Sequence, residues 1–245
     1  MERVISGVIA IPIVLGIILY GHLGLFFFLI ASIVLIAAHE YFAMIANAGI
    51  IGFPIEGLVL SFLLLAIGFF IPQFLSLFGV FIPLTLFIVW CYREKNVRVA
   101  LDSISYTLFG ILYTAGLGGY FLLISKLEGG RQIIVFILLL VWAGDSAAFY
   151  VGRKFEEHKL LEVVSPNKTI AGAVANVMGT LIAALLASSL FFNKIPLIHC
   201  LIVAFICGII GQFGDLAESL KKRNCQVKDS GTLIPGHGGV LDRID

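Results

Sequence analysis

From Gly57 to Cys91 the chain carries no charged residue. No soluble fold covers a run of that length and apolarity. It is also too long for one membrane-crossing helix, which needs roughly 20 residues. Pro72-Gln73 divides it, so the run reads as two spans. Six further apolar stretches flank it: Ile5 to Tyr20, Leu23 to Ile45, Ser103 to Ser125, Gln132 to Gly152, Thr169 to Asn193 and Ile195 to Gly214. Composition agrees, with 60% hydrophobic and 13% charged residues and a mean hydropathy of +1.08. Soluble domains carry about 25% charge. The expected fold class is an all-α polytopic integral membrane protein with eight transmembrane helices, forming a single membrane-embedded domain over residues 1–245. The apolar stretch from Ile5 is followed by others, as in a first span that stays in place rather than a cleaved leader.

Loop charges test the span count. With the N-terminus in the cytoplasm, 13 of the 16 basic residues fall on the cytoplasmic side, leaving only Lys126, Arg131 and Lys194 on the other. Positive charge is enriched in cytoplasmic loops, so this orientation is the one expected. The longest polar loops, after the sixth and eighth spans, then face the cytoplasm. The net charge of +1 gives no reason to expect a nucleic-acid partner. The cysteines Cys91, Cys200, Cys207 and Cys225 form no C-x-x-C pair and read as small apolar residues.

Acids inside spans are costly and face a cavity, a partner or an ion. Asp145 lies in VWAGDSAAFYVGRK, and Asp215 and Glu218 lie in GQFGDLAESLKKR. Asp215, Glu218, Ser219 and Lys222 follow one another at i, i+3, i+4 and i+7, one face of a helix. Two acids, a hydroxyl and an ammonium on one face suit a metal and phosphates. An ordinary helix end with local ion pairs has the same pattern. SPNKTIAG, Ser165 to Gly172, offers helix-capping side chains and, with Lys168, an anion site at a helix N-terminus.

The tail VKDSGTLIPGHGGVLDRID holds Gly231, Gly236, Gly238 and Gly239. Glycines let backbone amides approach phosphate oxygens. His237 sits among them, with Lys228, Asp229, Asp242, Arg243 and Asp245 around it. Carboxylates suit magnesium, and Lys and Arg suit phosphates. No G-x-x-x-x-G-K-[ST] pattern occurs, so this is not a Walker A loop. A basic juxtamembrane tail on anionic lipid accounts for Lys221-Lys222-Arg223 but poorly for the glycines and aspartates.

In this tail Ser219, Lys222, Arg223, Lys228, Asp229, Gly231, Pro235, His237, Gly238, Gly239, Asp242, Arg243 and Asp245 fall in register with S-x-x-K-R-x-x-x-x-K-D-x-G-x-x-[LI]-P-x-H-G-G-x-x-D-R-x-D. That pattern resembles the signature of the phosphatidate cytidylyltransferase family. GDSAAFYVGRK is similar to the family's D-S-x-A-Y-x-x-G-[RK] stretch and SPNKTIAG to its S-P-K-K-T-x-E-G stretch. With the Arg3 to Pro12 region, the similarity covers most of the chain.

The resemblance implies transfer of CMP from CTP to phosphatidic acid, giving CDP-diacylglycerol and pyrophosphate, in a bacterial inner membrane. It implies Mg2+ with a second cation held by Asp215 and Asp242, and Ser219 as a hydroxyl ligand. Lys222, Arg223, Lys228 and Arg243 would neutralise substrate charge. His237 would sit beside the Gly238-Gly239 turn, with Asp229 nearby. Asp145, Ser165 and Lys168 would complete the pocket. A homodimer is compatible with the pattern, though no motif calls for one. Asn167 and Ala171 depart from the usual family residues, Ala171 replacing a Glu. Family members continue past the last D-R-x-D into another hydrophobic span, so nine spans are expected of the intact protein. Two other readings are a cytidylyltransferase acting on another lipid, such as an archaeal ether lipid, and a secondary transporter.

Overall fold

The computed structural model describes residues 2–93, 96–155, 158–192, 195–231, 233 and 238–244, with side chains from Ile11 onward. In chain order its helices are α1 (Glu2–Tyr20), α2 (Leu23–Asn47), α3 (Pro54–Phe70), α4 (Leu75–Arg93), α5 (Ala100–Ile111), α6 (Leu117–Ile124), α7 (Gly130–Lys154), α8 (Ile170–Leu190), α9 (Leu197–Asn224) and the short α10 (Leu241–Ile244). A wide π-type turn, Leu112–Gly116, joins α5 to α6 without breaking the rod. Two short strands, β1 (Lys159–Leu161) and β2 (Ser165–Thr169), lie between α7 and α8.

Among the described residues six helical stretches are long and apolar enough to cross a membrane: Leu23–Asn47, Pro72–Arg93, Val97–Ile124, Gly130–Lys154, Ile170–Leu190 and Leu197–Asn224. They coincide with six of the eight expected spans, and the chain is an integral membrane protein. The other two expectations fall on α1, the 19-residue Glu2–Tyr20, whose side chains are described only from Ile11, and on α3, the 17-residue Pro54–Phe70. The 17 residues of α3 give a rod of about 26 Å at 1.5 Å per residue, short of a hydrocarbon core about 30 Å thick. Pro54 at its start and Pro72 just beyond its end set that length. Large apolar side chains such as Phe28, Val80, Phe87, Val174 and Ile210 stand exposed along the helices, as a lipid solvent allows.

The chain divides into two compact units, residues 1–128 with 225–244, and residues 129–224. In the first, α2 packs against α1, α3, α5, α6 and α10. Its buried face carries Phe26, Phe27, Ala31, Val34, Ala37, Ala38, Tyr41 and Phe42. The Tyr41 hydroxyl donates to the Tyr106 carbonyl oxygen at 3.0 Å, so the polar tip of a buried ring is satisfied. The Phe53 N–H at the head of α3 donates to the Thr107 hydroxyl at 3.0 Å, which itself donates to the Ser103 carbonyl at 2.7 Å. These bonds matter in an apolar surround, where no water would satisfy the same groups.

In the second unit α8 packs against both α7 and α9. Small residues let the rods approach. A Cβ on Gly179 would stand 2.8 Å from Ala147 Cβ and 2.9 Å from the Ala143 carbonyl oxygen. One on Gly208 would stand 2.8 Å from Thr180 Oγ1. Helices in lipid associate through such close packing rather than through burial of apolar surface. At one end of the unit Phe136 and Phe192 stack with centroids 4.6 Å apart, among Leu140, Ala184, Ala187, Cys200 and Ala204. Cys200 and Cys225 are buried as expected of small apolar residues, whereas Cys91 is exposed.

Because Ala143 O is backbone and cannot move aside, we expect Gly179→Val to lower stability by about 2 kcal/mol. Gly211, where an added Cβ meets nothing within 4 Å, should accept Ala without loss. Thermal melts of the detergent-solubilised protein check both.

Candidate active site

The second unit gathers its polar residues where α7, α8, α9 and the hairpin meet. Helix α7 carries Asp145, whose Oδ1 accepts from Asn176 Nδ2 on α8 at 3.2 Å. Asn176 is buried among the close-packed helices. The strands pair antiparallel with Lys159 opposite Thr169 and Leu161 opposite Ser165, so SPNKT is a strand rather than only a cap. The strand still ends in a cap: the Thr169 hydroxyl accepts from the Gly172 N–H at 3.0 Å and starts α8. The hairpin also brings Lys168 to an ion pair with Asp215 on α9.

Asp145 lies within the field of both Asp215 and Lys168, so the three charges form one cluster. A turn earlier on α9, Gln212 Nε2 donates to the Ala173 carbonyl at 3.1 Å and the Gly208 carbonyl at 2.7 Å, tying α9 to α8 just before Asp215. A turn later, Lys222 pairs with Glu218 at 2.6 Å, and Glu218 is 1% exposed. The i, i+3, i+4, i+7 row of α9 therefore carries two carboxylate–ammonium pairs, with Ser219 half-buried beside Glu218 and Arg223 exposed at the helix end. Ser165 is half-buried at the start of β2.

Beside this cluster an apolar cavity of about 530 Å³ opens between α8, α9 and β1. Leu161, Ile170, Val174, Met178, Phe213 and Leu216 line it. Ile170 and Leu216 are close neighbours in sequence of Lys168 and Asp215, so the cavity begins where the charged cluster ends.

The tail belongs to the first unit and folds around two carboxylates. Asp242, at the start of α10, accepts the Ser230 N–H (3.0 Å to Oδ2) and the Gly239 N–H (2.8 Å). The second carboxylate is Glu40 of α2, 7% exposed. It accepts the Val240 N–H at 3.0 Å, the Leu241 N–H at 2.8 Å and the Ser230 hydroxyl at 3.4 Å. The glycines expected to approach phosphates approach these carboxylates. A Cβ on Gly231 would lie 2.7 Å from Glu40 Oε1, and Gly239 is likewise pressed against the Glu40 carboxylate. Gly238 has φ +84°, a left-handed turn that glycine enters freely, and its added Cβ would lie 2.6 Å from Asp242 Oδ2.

The structure thus joins Asp145, Lys168 and Asp215 in one unit and Ser230, Gly238, Gly239 and Asp242 in the other. Lys228, Asp229 and Arg243 are exposed on the tail. His237 lies outside the described residues, as do Pro235, Gly236 and Asp245. Among the described residues no group of three or more His, Cys, Asp or Glu side chains is placed to hold a metal ion. Glu40 is the residue that sequence reasoning passed over. Its signal is the one that flagged Asp145: a carboxylate inside an apolar span.

Known proteins resemble this chain along its whole length. The model of the cytidylyltransferase family matches residues 1–245. The chain belongs to that family. Of its relatives within the cytidylyltransferases, the phosphatidate cytidylyltransferase of Bacillus subtilis (strain 168) is 31% identical, over 100% of this chain and 92% of that protein. The phosphatidate cytidylyltransferase of Staphylococcus aureus (strain COL) is 35% identical over 99% of this chain and 93% of its own length. That of Staphylococcus epidermidis (strain ATCC 35984 / DSM 28319 / BCRC 17069 / CCUG 31568 / BM 3577 / RP62A) is 34% identical over 99% and 93%. The family match thus spans every helix described above.

Gly238→Ala forces a side chain into the left-handed region, costing about 1–2 kcal/mol, and pushes it against Asp242. We expect the tail after Cys225 to become cleavable by added protease at conditions where the parent chain resists. Equal resistance would contradict the tail geometry described above.

Proposed function

We propose that this chain transfers CMP from CTP to phosphatidic acid at the cytoplasmic face of a bacterial inner membrane. The observation that carries this reading is the unbroken signature from Ser219 to Asp245 on a chain similar throughout to phosphatidate cytidylyltransferases. A phosphate oxygen of phosphatidate attacks the α-phosphorus of CTP. The bond from that phosphorus to the bridging oxygen breaks, and pyrophosphate leaves. Phosphatidate is already an anionic nucleophile, so the main obstacles are charge repulsion and alignment rather than proton removal.

The residues are suited to those tasks. Lys168, Lys222, Arg223, Lys228 and Arg243 supply cationic groups for two polyanionic substrates. We assign Asp215 and Asp242 to Mg2+ and a second cation. Asp215 fits a cation: its side chain is 48% exposed and already pairs with an ammonium. Asp242 serves the tail's N–H groups, and a carboxylate's roughly four lone-pair sites allow it both duties. When bound, magnesium would neutralise charge building on the leaving pyrophosphate. Ser219 adds a hydroxyl ligand, Asp145 and Ser165 add polar groups near Asp215, and Asp229 and His237 meet phosphate, with Gly238 and Gly239 shaping the tail that carries them. The apolar cavity next to Lys168 and Asp215 gives an acyl chain of the lipid a place while its headgroup lies at the charges.

Purified protein in phosphatidate-containing vesicles should release pyrophosphate only when CTP and magnesium are both added. Asp215→Ala and Asp242→Ala should each abolish release while the protein stays folded. Near-normal turnover in either variant would sink the cation assignment. Strict dependence on a different lipid would replace phosphatidate as the acceptor.

A further inference from the structure

We infer that Glu40, on a span remote from the signature, is a positioning residue for the reaction: it sets the active shape of the signature tail, and through Ser230 the placement of Asp242. An ionised carboxylate within an apolar helix is heavily penalised unless donors surround it. Among the described residues Glu40 receives three, and all come from the tail: the Val240 and Leu241 N–H groups and the Ser230 hydroxyl. The dependence runs both ways. The first N–H groups of a helix have no partners within it, and Glu40 accepts the one at the head of α10 and the one just before it. Ser230 joins the two carboxylates, giving its N–H to Asp242 and its hydroxyl to Glu40.

The surrounding sequence bears the mark of that carboxylate. Gly231 and Gly239 both lie where any side chain would strike Glu40. Two signature glycines thus exist to admit a protein carboxylate, which leaves Gly238 as the glycine fixed by a left-handed turn. The bonds that Glu40 accepts come from Val240, Leu241 and Ser230, so its influence on substrate passes through the tail backbone and Asp242.

Glu40→Gln is the decisive change, because it preserves shape while facing a donor N–H2 toward donor N–H groups. Losing a hydrogen bond to a carboxylate should speed local exchange on the order of tenfold or more. Hydrogen–deuterium exchange of the full chain should therefore accelerate at residues 238–244 and leave the rest of α2, and α7 to α9, unchanged. Steady-state assays should show a lower kcat and a raised half-saturating magnesium concentration, which a mere loss of folded protein would not produce. Glu40→Asp, retaining the charge one methylene shorter, should recover part of both effects and stands in if Glu40→Gln fails to fold. Glu56→Gln, a carboxylate paired with Arg93 in the same unit, should match the parent. The magnesium arm presupposes the proposed transfer reaction, and the exchange arm does not. If the parent chain lacks transfer activity, that reading fails while exchange still decides the role of Glu40 as tail anchor. Parent-like exchange and kinetics in Glu40→Gln, or loss that spreads equally through α2 and α3 with unshifted magnesium dependence, would overturn the inference.

Discussion

An ionised carboxylate inside an apolar helix cannot be satisfied by solvent, so the chain must bring donors or cations to it, and much of this structure follows from that requirement. Glu40 draws the tail onto α2. Asp145 draws the Asn176 amide from α8. Asp215 and Glu218 draw Lys168 and Lys222. Glu40, Asp145 and Asp215 each fix a contact between segments that apolar packing alone would leave free to slide, while the Glu218–Lys222 pair lies within α9. Lipid tails are as apolar as leucine, so only polar bonds and close steric fit distinguish one helix arrangement from another. The close fit comes from Gly179 and Gly208, which allow α8 to approach both neighbours.

The charged cluster and the apolar cavity together suit an amphipathic substrate. One side offers Lys168, Asp215 and Asp145, and the other offers Ile170, Val174 and Phe213. A lipid phosphate needs both at once. In the tail, the N–H groups of Ser230, Gly239, Val240 and Leu241 are given to internal carboxylates, which holds these residues in place before any substrate arrives. Such pre-organisation lowers the ordering cost of bringing two anions together.

Much of this was legible in the sequence. The long charge-free run and the repeated apolar stretches announce membrane helices, and the signature announces the family. Six of the eight expected spans are matched among the described residues, and α3 resembles its neighbours in composition but is shorter, with prolines at both ends. The β1–β2 hairpin was not legible: three residues pair with five, and SPNKT reads equally as a cap. Thr169 shows that the capping reading was also right. The glycines were read for their permissiveness, correctly, but toward phosphate. Their partner is Glu40, 200 residues from Val240, and neither helical periodicity nor motif spacing links positions that far apart.

The central claim is that the α-phosphate of CTP becomes part of a lipid. It is tested most directly by giving the purified chain phosphatidate vesicles with CTP labelled at either the α- or the γ-phosphate. The account requires α-label to enter the chloroform-extractable lipid and γ-label to remain in aqueous pyrophosphate. Lipid that gains the γ-label, or no label from either, would contradict it.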